Sequence, residues 1–278
     1  MSVQVADSIT SLQEEILTAL AKDELLLPSM PETAFSIRQA AEDPEISINA
    51  ICDLVAGDPA IAARIIQIAN SPLFRAIKPI ETLPNAIARM GIKYSCSFAV
   101  GIAMEQLFQA TSDAVDSRMR ASWSHSVSVA SLCQVYCTHF TRLDPGQATL
   151  AGLVHGIGKL PLLTWADDND WDEAQIDQTT DALHGVLGQE ILARWQFPEQ
   201  LQLVPSHYLD FERDTDAPDY VDLVCVANLI THRDTDHPLG RIDLAGVTAF
   251  ERLGMDVEEV GLQEELNSEA EAARSLLG

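Results

Sequence analysis

The sequence predicts an all-α protein, with an N-terminal helical bundle packed on a C-terminal one. Three observations carry that expectation. Apolar residues recur at helical spacing along nearly the whole chain. Asp-Pro pairs at Asp43-Pro44, Asp58-Pro59 and Asp144-Pro145 punctuate it, and such a pair suits a helix start because the carboxylate caps exposed amides while proline fits the first turn. No apolar–polar alternation marks a convincing strand.

Residues 1–19 read as an N-terminal helix or extension. Leu27-Pro28-Ser29-Met30-Pro31 then breaks the pattern ahead of a further helix. Asp43-Pro44 is expected to open a helix with Ile48, Ile51, Cys52 and Val55 on one face. Asp58-Pro59 opens the next, with Ile61, Ile65 and Ile68 as its apolar stripe and Asn70-Ser71-Pro72 as its stop. Within it Arg64 and Asn70 read as structural, since a side-chain amide at a helix end commonly satisfies nearby backbone groups. The polar run at 110–117 marks a boundary. Residues 20–112 are therefore expected to form one subdomain and 113–235 a second, whose first helix opens near Trp123.

In the second half, Asp144-Pro145 opens the helix that leads to His155. Gly156 and Gly158 read as helix-end glycines with positive φ, and Lys159 as a helix-end lysine over terminal carbonyls. The acidic stretch at 167–173 lacks the glycine a calcium loop needs, so it reads as a solvated loop; 210–216 is a second acidic loop. Trp195 and Phe197, in Trp195-Gln196-Phe197-Pro198, are expected core anchors. Pro205 stands just before His207, where it tightens or kinks the helix and bears on where that ring points. Residues 236–278 form an acidic extension ending in a Glu-, Ala- and Leu-rich helix expected to pack on its own domain.

Composition narrows the function. Forty-two acidic residues against 17 basic ones give a net charge of −25, a field that repels phosphate backbones and anionic headgroups. Neither a nucleic acid nor a membrane is expected as partner. Five cysteines, an odd count without C-x-x-C spacing, suit reduced thiols of a cytoplasmic protein. With 47% apolar residues, a sizeable core is assured.

Four histidines, His125, His155, His184 and His207, each stand beside helix-forming sequence. Any one alone reads as a hydrogen-bonded structural residue. In this order, with Leu153-Val154-His155-Gly156-Ile157-Gly158-Lys159 around the second, they resemble the HD superfamily of metal-dependent phosphohydrolases. That resemblance implies a metal site in which imidazoles ligate and carboxylates offset the charge. It places Gly156 where the family has the Asp of its His-Asp pair and Asn228 where it has a final Asp, so both carboxylates are missing. Lys159 then matches a lysine positioned to meet a phosphate. The implied pocket is vestigial: His125, His155, Gly156, Lys159, His184, His207 and Asn228. No cofactor is expected; if the site holds anything, it is one divalent ion (zinc, nickel, iron or manganese) on His125, His155, His184 and His207.

The N-terminal half sharpens the resemblance. Leu27-Pro28-Ser29-Met30-Pro31, the 58–71 segment and the run from Ile80 to Gly91 are together similar to the hallmark segments of the HDOD domain, a bacterial signalling relative of the HD superfamily. The similarity covers roughly residues 20–235 and implies an all-α module with a degenerate metal site. The expected function is non-catalytic regulation, through a protein partner or a small signalling ligand. The competing expectation is a metal-dependent phosphohydrolase acting on a nucleotide or cyclic dinucleotide, which needs an acid from outside the motif.

Overall fold

A computed structural model of the chain describes residues 2–74, 78–109, 113–169, 171–258, 260 and 263–277. Among them there are helices and turns and no strand. No helix among the described residues is long and apolar enough to cross a membrane.

The N-terminal half contains α1 (Ser2–Ala21), α2 (Glu32–Ala41), α3 (Ile48–Ala56), α4 (Pro59–Ala69), α5 (Leu83–Met90) and α6 (Ile92–Ala103). Asp58 caps α4 by accepting from the Ala60 and Ile61 amides, and Ile61, Ile65 and Ile68 are buried along its stripe. Asp43-Pro44 does not open α3, contrary to the sequence expectation. The Asp43 carboxylate folds back on the Glu45 amide at 2.9 Å, and Ser47 supplies the cap instead, accepting from Ala50. Asn70 ties α4 to the following strap, donating to the Ile66 and Ile80 carbonyls and accepting from the Ile80 amide. α6 is buried at every position from Ser95 to Ala103, so it forms the centre of this half.

The second half begins with the long α7 (Asp113–Phe140), which starts ten residues before Trp123. Residues 110–112 of the expected boundary lie outside the described residues. Then come α8 (Pro145–Val154), α9 (Lys159–Asp168), α10 (Glu173–Arg194), α11 (Glu199–Gln202), α12 (Val204–His207), α13 (Tyr220–His232), α14 (Thr248–Leu253) and α15 (Glu264–Leu277). Asp144 caps α8 through the Gln147 amide. α7 and α8 cross so closely that a Cβ on Gly152 would stand 2.4 Å from Ala130 Cα.

Two further expectations are corrected. The acidic stretch at 167–173 is not a free loop: Asp167 and Asp168 finish α9, while Asp172 forms a capping box with Gln175 at the start of α10. A carboxylate beside free helix amides is drawn onto them. Residue 170 lies outside the described residues. Nor do Gly156 and Gly158 take positive φ, which among the described glycines belongs to Gly91 and Gly254. Gly158 is needed for a different reason: a Cβ there would lie 1.9 Å from the His184 carbonyl oxygen, where α9 begins against α10.

One hydrophobic cluster runs from Ala34 on α2 through α6, α7, α8 and α13 to Leu277 on α15. A smaller one joins Ile16 and Ala19 of α1 to Leu183 and Leu187 of α10. Trp195 and Phe197 are buried, and the Trp195 indole donates to the Pro28 carbonyl at 3.2 Å. α15 buries Leu266, Ala270, Ala273 and Leu277. Arg64 on α4 reaches its Leu277 carbonyl, and His139 on α7 meets its Glu269 at 2.8 Å. In the first turn of α13, Asp222 is 1% exposed and holds Arg252 of α14 at 2.6 Å, with Arg213 at 3.5 Å.

Candidate functional site

Helical register assembles the site. Arg118, Ser122 and His125 share one face of α7; Asp177, Thr180, Asp181 and His184 share one face of α10; Asn228 and His232 share one face of α13. These faces surround a cavity of about 460 Å³, whose wall also includes Lys159, Tyr208 and His237. α8 ends at Val154 and α9 begins at Lys159, so the tight turn between them delivers His155 and Lys159 to the same region.

The aromatic rings form a continuous belt. From His184 it passes to Tyr208 (5.8 Å between centroids), His155 (5.0 Å), His125 (5.4 Å), His232 (4.8 Å) and His237 (3.9 Å). Hydrogen bonds fix the tautomers of its buried members. His155 Nδ1–H donates to the Gly152 carbonyl at 2.7 Å and His184 Nδ1–H to the Thr180 carbonyl at 2.8 Å. Each neutral ring then keeps Nε2 as an acceptor, and His184 Nε2 takes the Tyr208 hydroxyl at 2.9 Å. His125 Nε2 lies 2.9 Å from Asn228 Oδ1, which makes that nitrogen the donor.

Burial keeps these imidazoles neutral. His125 is pushed down to about 4, by burial first and by the nearby Lys159 charge second. His232 falls to about 4 through burial and then the neighbouring His125 and His237. His155 and His184 are lowered chiefly by burial as well, with His125 the next cause at His155 and Lys159 the next at His184. The Lys159 ammonium thus lies within electrostatic reach of four imidazoles. Its own pKa is lowered by burial, against the opposing pull of Asp181.

Of the residues singled out in the sequence, His125, Lys159, His184 and Asn228 line the cavity, and His155 joins them through its ring contacts. Gly156 is buried beside them. A Cβ there would meet only ordinary contacts: Ser126 Oγ at 3.6 Å, Ser122 Oγ at 3.7 Å and Lys159 Cδ at 3.9 Å. His207 does not line the cavity; its Nδ1 lies 2.8 Å from Ser206 Oγ and 3.1 Å from the Leu203 carbonyl. Pro205 is buried against the glycines of α10, and Tyr208, one turn on, presents its ring to the belt instead. Lys159 is not over helix-end carbonyls either, since it stands at the amide end of α9.

Sequence reasoning passed over Arg118, Thr180, Asp181, Tyr208, His232 and His237. A partial signal existed for His232, one turn beyond Asn228, and for Thr180 and Asp181, one turn before His184.

The donor set does not fit the divalent pair of a hydrolytic centre. Both nitrogens of His184 are already engaged, and a lysine ammonium lies among the imidazoles where a dication would need negative charge. The carboxylates at the cavity are exposed ones: Asp177, held by Arg118 at 2.5 Å, and Asp181. Among the described residues no cluster of three or more His, Cys, Asp or Glu side chains is set to hold a metal ion.

A sequence profile for the HDOD domain matches residues 27–208, more than half of the chain. Among solved structures, one from Shewanella amazonensis SB2B, provisionally described as a metal-dependent phosphohydrolase, is 28% identical with a TM-score of 0.85; the match covers 98% of this chain and 100% of that one. An HDOD domain protein of unknown function from Geobacter sulfurreducens is 22% identical, with 98% of each chain covered and a TM-score of 0.66. A protein from Marinobacter aquaeolei VT8, provisionally described as acting in signal transduction, is 22% identical with a TM-score of 0.67, over 93% of this chain and 60% of that one. These last two likenesses speak for the fold alone. An uncharacterized protein of Treponema pallidum (strain Nichols) is 20% identical over 195 residues, which are 62% of this chain and 36% of that protein's length. The chain therefore spans about a third of this curated relative.

Proposed function

The chain belongs to the HDOD domain family, and from that premise we propose that it is a non-catalytic signalling module that receives a small ligand in the cavity between α7, α10 and α13 and passes its state to a protein partner. One observation carries this reading: Lys159, which makes no ion pair among the described residues, stands where a hydrolytic site would need carboxylates, and Gly156 and Asn228 supply none. The five cysteines are free and buried, which suits a reducing cytoplasm.

Phosphodiesterase and nucleotidase assays on the purified protein with added manganese, nickel or zinc test the proposal. No turnover above background is expected. Metal-dependent turnover that disappears in His155→Ala would replace this reading with the second one, a metal-dependent phosphohydrolase acting on a nucleotide or cyclic dinucleotide. That second reading draws on the description of the Shewanella structure.

A further inference from the structure

α15 does not fill its seat. Where it presents Ala272 and Ala273, a cavity of about 150 Å³ remains between it, the end of α4 and the last two turns of α7. The floor of this cavity is closed: Ile68, Phe98 and Gln134 are each 1% exposed, and Ser71 is 7% exposed. Leu73 and Leu276 add to its apolar wall. At the rim the polar groups are already engaged, since Glu269 meets His139 at 2.8 Å and the Thr138 hydroxyl donates to the Gln134 backbone carbonyl at 2.8 Å. Two are left over on the floor. Neither Gln134 Oε1 nor Ser71 Oγ has a hydrogen-bond partner among the described residues, and a buried polar atom in that condition costs free energy.

Size and polarity together select the occupant. A dry cavity of this volume takes a benzene ring. Water is a poor match, because a cluster large enough to fill the space needs several polar partners per molecule and the floor offers only these two. An ion is matched no better: Glu269, the one carboxylate of the lining, already faces His139. A hydroxyl group suits both leftover atoms, since it donates to the amide oxygen and accepts from the serine. We propose that this cavity binds a small neutral molecule with an apolar body the size of a single ring and one hydroxyl group, which Gln134 and Ser71 hold. It shares no lining residue with the cavity between α7, α10 and α13 and does not depend on the function proposed for that one. Glu269, Ala272, Ala273 and Leu276 of its wall all belong to α15. The ligand therefore binds while α15 is seated, and by mass action it fastens that helix to α4 and α7.

Titration calorimetry of the full chain with phenol, benzene and benzoate tests the site. Phenol is expected to bind saturably and about fivefold more tightly than benzene, the scale of one net hydrogen bond. Gln134→Leu keeps the approximate shape of the side chain and removes the unpartnered oxygen. It is expected to melt no lower than the wild type and to bind benzene at least as well as phenol. Ala272→Leu fills the space and is expected to abolish binding of both, whereas Lys159→Met, in the other cavity, leaves both unchanged. Hydrogen exchange reads the link to the terminal helix: phenol is expected to slow the amides of α15 and not those of α10. No saturable binding by the wild type, or phenol affinity unchanged in Gln134→Leu or in Ala272→Leu, overturns the site. Benzene or benzoate binding as tightly as phenol overturns the ligand class. Unaltered exchange in α15 at saturating phenol overturns the fastening of that helix.

Discussion

A Cβ on Gly158 would lie 1.9 Å from the carbonyl oxygen of His184, so the start of α9 can approach α10 only where no side chain intervenes. The same contact holds Lys159 and His184 at one cavity. Gly158→Ala is expected to cost about 3 kcal/mol or more, because backbone rather than a flexible side chain must give way. Gly156→Ala, whose Cβ meets only ordinary contacts, is expected to stay within about 1 kcal/mol of the wild type. Urea unfolding of the two variants side by side checks this; equal losses would show that the packing of α9 on α10 does not depend on that glycine.

A Cβ on Gly156 meets the Lys159 stem at 3.9 Å, so Gly156→Asp brings a carboxylate close to that lysine. Pairing with Lys159 is expected to keep the stability change within about 1 kcal/mol. Urea unfolding of this variant reads the outcome. A loss above about 3 kcal/mol would show that the new charge is buried without a partner.

Asp222 and Arg252 join α13 to α14 through a pair in which the carboxylate is almost fully buried. Removing one partner leaves the other charge uncompensated, a loss of about 3–5 kcal/mol. Arg252→Met is therefore expected to lower the urea midpoint by that equivalent. A shift below about 1 kcal/mol would show that Arg213, 3.5 Å away, suffices alone.

The imidazoles of His125 and His232 are held near 4, against 6.5 for an ordinary histidine. Between those values the unfolded chain binds more protons than the folded one, so stability falls as pH falls through this window. Each ring contributes at most about 1.4 kcal/mol per pH unit there. Thermal melts in EDTA from pH 7 to pH 5 are expected to show the decline, and His232→Gln to reduce its slope. A variant slope identical to that of the wild type would place the acid sensitivity in other groups.

Caps and stripes were legible in the sequence because they are local. Asp58 and Asp144 cap their helices, and Ile61, Ile65 and Ile68 are buried in register. Asp43 misled because a carboxylate binds whichever amide is nearest, and its own turn offered Glu45 before any helix did. Gly158 looked like a residue of backbone freedom and is one of close approach, a property of two helices far apart in the chain. His125, His155 and His184 carried family-like neighbours. His232 follows Asn228 by one turn of α13, whereas His237 came to the cavity by stacking on His232 across a turn, for which no spacing rule exists.

α7 supplies Arg118, Ser122 and His125 to the cavity from its first half and, at His139, a seat for α15 near its end. Twenty-eight residues of unbroken helix make a rod of about 42 Å. Cavity and terminal segment therefore share a single beam: a tilt that widens one shifts the footing of the other, the mechanical link that the proposed signalling role requires.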